Sequence, residues 1–138
     1  MKGYVNRAIM NTSINILIVE ERDLLREKIA GILSREENIT MVIQVSSYSK
    51  LKTVMEETVP DLILGDFFEF DRFHKKTGIT TADLCSDTNI LLYTDEDERL
   101  SRNEMDHCGV RRVFDVRRVQ QEVISFLQDI KQKKSKQS

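Results

Sequence analysis

Five short apolar runs, each closed by polar residues, restrict this chain more than any other feature. Ile14 to Val19 (INILIV) lies between Asn11-Thr12-Ser13 and Glu20-Glu21. Ile39 to Val45 (ITMVIQV), Leu62 to Leu64, Ile90 to Tyr93 (ILLY) and Val113 to Val116 follow. Runs this short and this rich in Ile, Val and Leu read as strands buried on both faces. The segments between them carry a different period. From Asp23 to Ser34, Leu24, Leu25, Ile29, Ile32 and Leu33 recur at helical spacing, with Asp23 near the N-cap. Ser46-Ser47-Tyr48-Ser49 starts a second helix on Leu51, Val54, Met55 and Thr58, and Pro60, the only proline, ends it. Val119 to Ile130 makes a final helix on Val123, Ile124, Leu127 and Ile130. Strands alternating with amphipathic helices give βαβ units, hence an α/β fold with a doubly wound, five-stranded parallel sheet.

Two stretches lack a clear pattern. Phe67 to Asn89 carries Gly78 and the β-branched Thr77, Thr80 and Thr81, and is expected to be a long loop with a short or irregular helix. Asp95 to Gly109 is expected to hold the fourth helix, anchored on Leu100 and Met105. Residues 1–13 read as an N-terminal extension, 14–130 as the folded domain and 131–138 (KQKKSKQS) as a basic flexible tail.

Composition narrows the function. At 138 residues the chain holds one domain. An apolar fraction of 40%, a charged fraction of 32% and a net charge of -2 describe a soluble globular domain, with no direct nucleic-acid binding expected. No run approaches the ~18 apolar residues of a membrane span. Met1 to Ser13 has no apolar h-region, so a cytoplasmic setting is the expectation. Cys85 and Cys108 have no CxxC spacing, and with two histidines neither a disulfide framework nor a zinc cluster is supported.

In a sheet of this kind function collects at the C-terminal ends of the strands. The first run ends in Glu20-Glu21, the third in Asp66, the fourth in Thr94-Asp95. Carboxylates converging from distant parts of a chain repel one another and gather a hard divalent cation, with Mg²⁺ the expectation here. Such a cation also neutralises a phosphoryl group, whose oxygen a threonine hydroxyl can bind.

The stretches ILIVEERDLLREKIAGIL (Ile16 to Leu33), VPDLILGD (Val59 to Asp66), NILLYT (Asn89 to Thr94) and CGVRRVF (Cys108 to Phe114) resemble, in order and spacing, a response-regulator receiver domain. The resemblance runs from Ile14 to Ile130. It implies a flavodoxin-like three-layer sandwich with strand order 2-1-3-4-5. It makes Asp66 the phosphoacceptor, Glu20 and Glu21 the acidic pocket, and Thr94 the switch hydroxyl. Low-affinity Mg²⁺ would be held by Glu21, Asp66 and the Phe68 backbone carbonyl. The implied partner is a histidine kinase or other signalling protein, with a homodimer possible. The implied chemistry is no more than Mg-dependent self-phosphorylation and dephosphorylation.

The departures from that pattern are specific. Two glutamates stand where aspartates are usual. No proline follows Asp66. Asp95 sits beside the switch hydroxyl and repels an incoming phosphoryl group. The family's lysine on the fifth strand falls on Val116; a one-residue slip places Arg117 there, and Phe114 at the aromatic switch position. A pseudo-receiver that docks a partner without phosphorylation is therefore the alternative. A Mg-dependent phosphate-handling enzyme is more remote, because Asp66-Phe67-Phe68-Glu69 and Glu20-Glu21-Arg22 both lack the Asp-x-Asp spacing that such enzymes use. Phe67, Phe68, Phe70 and Phe73 cap a core or form a docking patch; His74 is expected at the surface.

Overall fold

The computed structural model describes residues 13–84, 89–95 and 112–137, with side chains through Ile130. The elements are β1 (Asn15–Val19), α1 (Asp23–Leu33), β2 (Met41–Val45), α2 (Leu51–Glu57) entered through a 3₁₀ turn at Tyr48–Lys50, and β3 (Leu62–Asp66). Then come α3 (Phe67–Thr77), α4 (Thr81–Leu84), β4 (Asn89–Thr94), β5 (Val113–Asp115), a 3₁₀ turn at Val116–Arg118, and α5 (Val119–Gln137). The strands form one sheet of order β2-β1-β3-β4-β5, and every pairing is parallel. This is the doubly wound topology that the alternation of runs predicts. Among the described residues no helix is long and apolar enough to cross a membrane.

Each of the two central strands feeds two cores. Ile16 and Ile18 of β1, Leu62 and Leu64 of β3, Tyr93 and Phe114 pack with Ile29 and Leu33 of α1 and Val123 and Leu127 of α5. Leu17, Val19, Ile63 and Leu92 face the other way, onto Leu51 of α2 and Phe67 and Phe70 of α3. Burial on both faces explains why these runs are continuously apolar. Register then sets up the rim. Val19 pairs with Gly65 and Asp66 with Tyr93, so the next rung brings Glu20, Asp66 and Tyr93 level across three strands.

The segment after Asp66 departs from the expected loop. It is a regular helix beginning at Phe67 with no intervening residue. Two local features cause this. The Asp66 carboxylate accepts from the Glu69 backbone N–H at 2.9 Å, an N-cap, and Gly78 at φ 76 supplies the left-handed C-terminal stop. Phe67, Phe70 and His74 form the buried stripe. Tyr48 meets Phe70 edge-on at 5.3 Å and stacks on Phe73 at 5.8 Å, so the aromatic cluster is core rather than a docking patch. His74, expected at the surface, is buried, with Nδ1 2.9 Å from the Ile79 carbonyl. The α5 backbone also continues through Lys131 to Gln137, where fraying is expected; no glycine or proline stops it. The N-terminal extension up to Thr12, Cys85, and the fourth helix expected before Gly109, with Cys108, lie outside the described residues.

Gly65 is forced by close approach. A Cβ there would stand 2.1 Å from the Tyr48 hydroxyl and 3.2 Å from the Val19 carbonyl. That hydroxyl donates to the Asp66 carbonyl at 3.1 Å, tying α2's entrance to the end of β3. Gly65→Ala is expected to destabilise by about 3 kcal/mol, the upper end for overpacking. Adding Tyr48→Phe should recover part of the loss, measured by chemical denaturation.

Candidate functional site

Strand alternation carries Ile16 and Ile18 into the core and puts Glu20 on the same face, one residue past β1. Its carboxylate is 0% exposed. It is satisfied from two sides. The Tyr93 hydroxyl donates to Oε1 at 2.8 Å. Arg22, extended at φ -79 and ψ 109 just before α1, turns back toward it. The Arg22 backbone N–H and Nε donate to Glu20 Oε2 at 2.8 and 3.0 Å, and Nη2 donates to Oε1 at 2.9 Å. The same guanidinium reaches Asp66 Oδ1 at 3.1 Å through Nη2 and pairs with Asp95 through Nη1. One arginine thus spans the ends of β1, β3 and β4.

Glu69 completes the cluster from the first turn of α3. Its Oε1 accepts the Glu21 backbone N–H at 3.0 Å. Its Oε2 is buried without a hydrogen-bond partner. One oxygen from each of Glu20, Asp66 and Glu69 lies within 4.8 Å of the others, and all three residues are buried.

The electrostatics separate these acids. Burial pushes the Glu20 carboxyl up, but its bonds from Arg22 and Tyr93 outweigh that, so it lies below its ordinary value. Asp66 is raised, first by burial and then by Glu20, against the opposing bond from the Glu69 N–H. Glu69 is pushed up to about 8 by burial and the neighbouring Glu20 charge. Arg22 is held charged by its bonds to Glu20. The Tyr93 phenol is raised by burial and by the Glu20 charge it faces.

The structure brings some sequence-predicted residues together and turns others away. Glu20 and Asp66 meet. The Glu21 side chain is 60% exposed and lies 3.5 Å from Arg72, outside the carboxylate cluster. Phe68 is inside the first turn of α3, where a carbonyl points along the helix toward the next turn. Thr94 ends β4 opposite Asp115, one residue past the Asp66–Tyr93 pair, and is half-buried. Arg117 is 79% exposed and bonds Asp115, Nε to Oδ1 at 2.9 Å. Asp95, expected as a repulsive charge, is paired with Arg22. Arg22, Glu69 and Tyr93 are site residues that the sequence reading passed over. Two signals for them exist. Asp66-x-x-Glu69 has capping-box spacing, and residues i and i+2 of an extended segment, here Glu20 and Arg22, share a face.

Three buried carboxyl groups of this kind suit a hard cation with oxygen ligands, which would displace the proton on Glu69 and take Oε2, the oxygen without a hydrogen-bond partner.

Glu69 also sets a pH dependence. Below its ordinary value of 4.5 the folded and unfolded chains are both protonated there. Above 4.5 the unfolded chain releases the proton while the folded chain keeps it up to about 8, so Glu69 makes stability fall through that window. Glu69→Gln should flatten this slope relative to the native chain, read from denaturant midpoints between pH 5 and 8.

No family model matches the sequence, and no curated protein matches it significantly. Solved structures do match. The signal receiver domain of the response regulator NarL from Mycobacterium tuberculosis is 13% identical, covers 84% of this chain and 97% of its own, and superposes with a TM-score of 0.59. A signal receiver domain of a two-component histidine kinase from Clostridium thermocellum is 16% identical, with 83% and 97% covered and a TM-score of 0.60. The N-terminal domain of a response regulator/sensory box/GGDEF 3-domain protein from Carboxydothermus hydrogenoformans is 18% identical, with 86% and 94% covered and a TM-score of 0.60. At these identities the likeness concerns the fold: this chain is built as response-regulator receiver domains are.

Proposed function

We propose that this chain is a receiver-like signalling domain that accepts a phosphoryl group on Asp66 from a histidine kinase and passes the signal on through protein contacts. The observation that carries this reading is the placement of Asp66. It closes the central strand β3 at the C-terminal rim, its Oδ1 directed to the pocket beside Glu20 while Oδ2 caps α3. Oδ1 is the attacking oxygen: a bond forms from it to phosphorus, and the donor's P–N bond breaks, leaving the imidazole with the electron pair. Glu20, Asp66 and Glu69 would hold Mg²⁺, which when bound neutralises charge on the transferring group. Before a metal enters, Arg22 Nη2 faces Oδ1 and supplies there a cation that the outward-turned Arg117 does not. The setting is cytoplasmic, and Thr94 is the hydroxyl that would turn toward the new phosphoryl oxygen.

A second reading, a pseudo-receiver that docks partners without phosphorylation, is favoured by one specific feature. Both Asp66 oxygens are engaged, one by Arg22 and one by the α3 cap, so attack must break a charge-assisted bond. Labelling by a small acyl phosphate with Mg²⁺, followed by intact mass, separates the two. A slow gain of one phosphoryl mass, absent in Asp66→Asn, supports the acceptor; no gain with kinase or acyl phosphate leaves the docking module.

A further inference from the structure

We propose that Arg22 is the pocket's resident cation: its guanidinium closes the site over Glu20 and Asp66, and must swing outward before a divalent cation can enter. The inference deepens the reading above, resting on the same pocket but not on phosphorylation.

The geometry points to this role in three ways. First, Arg22 bonds both Glu20 oxygens and Asp66 Oδ1, and so bridges two of the carboxylates that would ligate a metal. A guanidinium and a dication compete for the same lone pairs. Second, it sits at the boundary between pocket and solvent. Its side chain is 42% exposed while Glu20 and Asp66 lie buried behind it. Its outer nitrogen, Nη1, is held by Asp95 in this same closed position, an anchor on the solvent side. Third, the pocket keeps an unfilled donor. Glu69 Oε2 is buried and unpartnered among these carboxylates, as a site does that one planar monovalent cation fills only in part. Arg26, the next cation along α1, bonds the Glu20 backbone carbonyl at 2.7 Å and Asp23 at 2.6 Å, so it does not replace Arg22 on the carboxylates.

The gate makes metal affinity a matter of population. A latch closed nine-tenths of the time weakens apparent affinity about tenfold, because only the open fraction binds. Titration of the full chain with MgCl₂, and with MnCl₂ as a second probe, followed by calorimetry and thermal melting, reads this directly. Wild type should bind weakly. Arg22→Gln keeps polar donors but removes the competing charge, and should bind Mg²⁺ roughly tenfold tighter or more. Asp95→Ala touches only the outer anchor, leaves the buried acids paired, and remains informative if Arg22→Gln fails to fold. Because Asp95 steadies the closed arm, its loss shifts apparent affinity in the same direction by a smaller factor. Unchanged Mg²⁺ and Mn²⁺ affinity in both variants, or weaker binding in folded Arg22→Gln, overturns the gate. Acyl-phosphate labelling of the same proteins separates the two claims. Tighter metal binding with Asp66 unlabelled in every form keeps the gate and removes the phosphoacceptor. Ready labelling with unchanged metal affinity does the reverse.

Discussion

The buried carboxylate of Glu20 is the fixed point of this molecule. Removing an ionised carboxylate from water is tolerated only when charge and hydrogen bonds replace the lost hydration. Here three groups on two elements supply them: the Tyr93 hydroxyl from β4, and the Arg22 backbone and guanidinium from the segment leading into α1. Satisfying Glu20 therefore fixes where α1 starts, which way Arg22 points, and how the end of β4 sits against β1. Asp66 and Asp95 join because the same guanidinium has donors left over. Removing Arg22 alone would leave a buried charge uncompensated, the circumstance in which ion pairs matter most.

On the opposite face of the sheet the constraint is steric. Tyr48 lies across Gly65 with its hydroxyl on the Asp66 carbonyl and its ring against both Phe70 and Phe73. Asp66 is thus pinned from both faces, by charge through its side chain and by packing through its backbone. The aromatic rings, which the sequence allows as a core cap or a docking patch, become the floor beneath the site.

The strands were legible because each is a short apolar run with polar ends, and burial on both faces leaves no competing period. Parallel pairing then followed from the helices between the runs, and Asp66 from its place at the end of the third. What stayed hidden depended on side-chain direction. Glu20 and Glu21 are chemically alike, and only the pleat decides that Glu20 turns inward while Glu21 faces Arg72. The helix at Phe67 was obscured by its aromatic content, although Asp66 and Glu69 carry the spacing of a cap. Arg22 read as one more charge beside a helix start. Its role appears once the extended backbone brings it to the same side as Glu20 and the sheet brings Asp66 alongside. The likeness to receiver domains is one of topology, carried at sequence identities too low to transfer a mechanism residue by residue.

The absence of any residue between β3 and α3 has a mechanical consequence. Asp66 is at once the last residue of a strand and the cap of a helix, so no slack separates them. Any new bond or charge on its carboxylate competes with the Glu69 N–H for the same group, and the first turn of α3 must answer by tightening or unwinding. Phe67 and Phe70 ride on that turn with their rings in the core, so the response reaches the packing against α2 within four residues of the acid. A perturbation at the rim is transmitted here by a rigid lever, where a loop would have absorbed it.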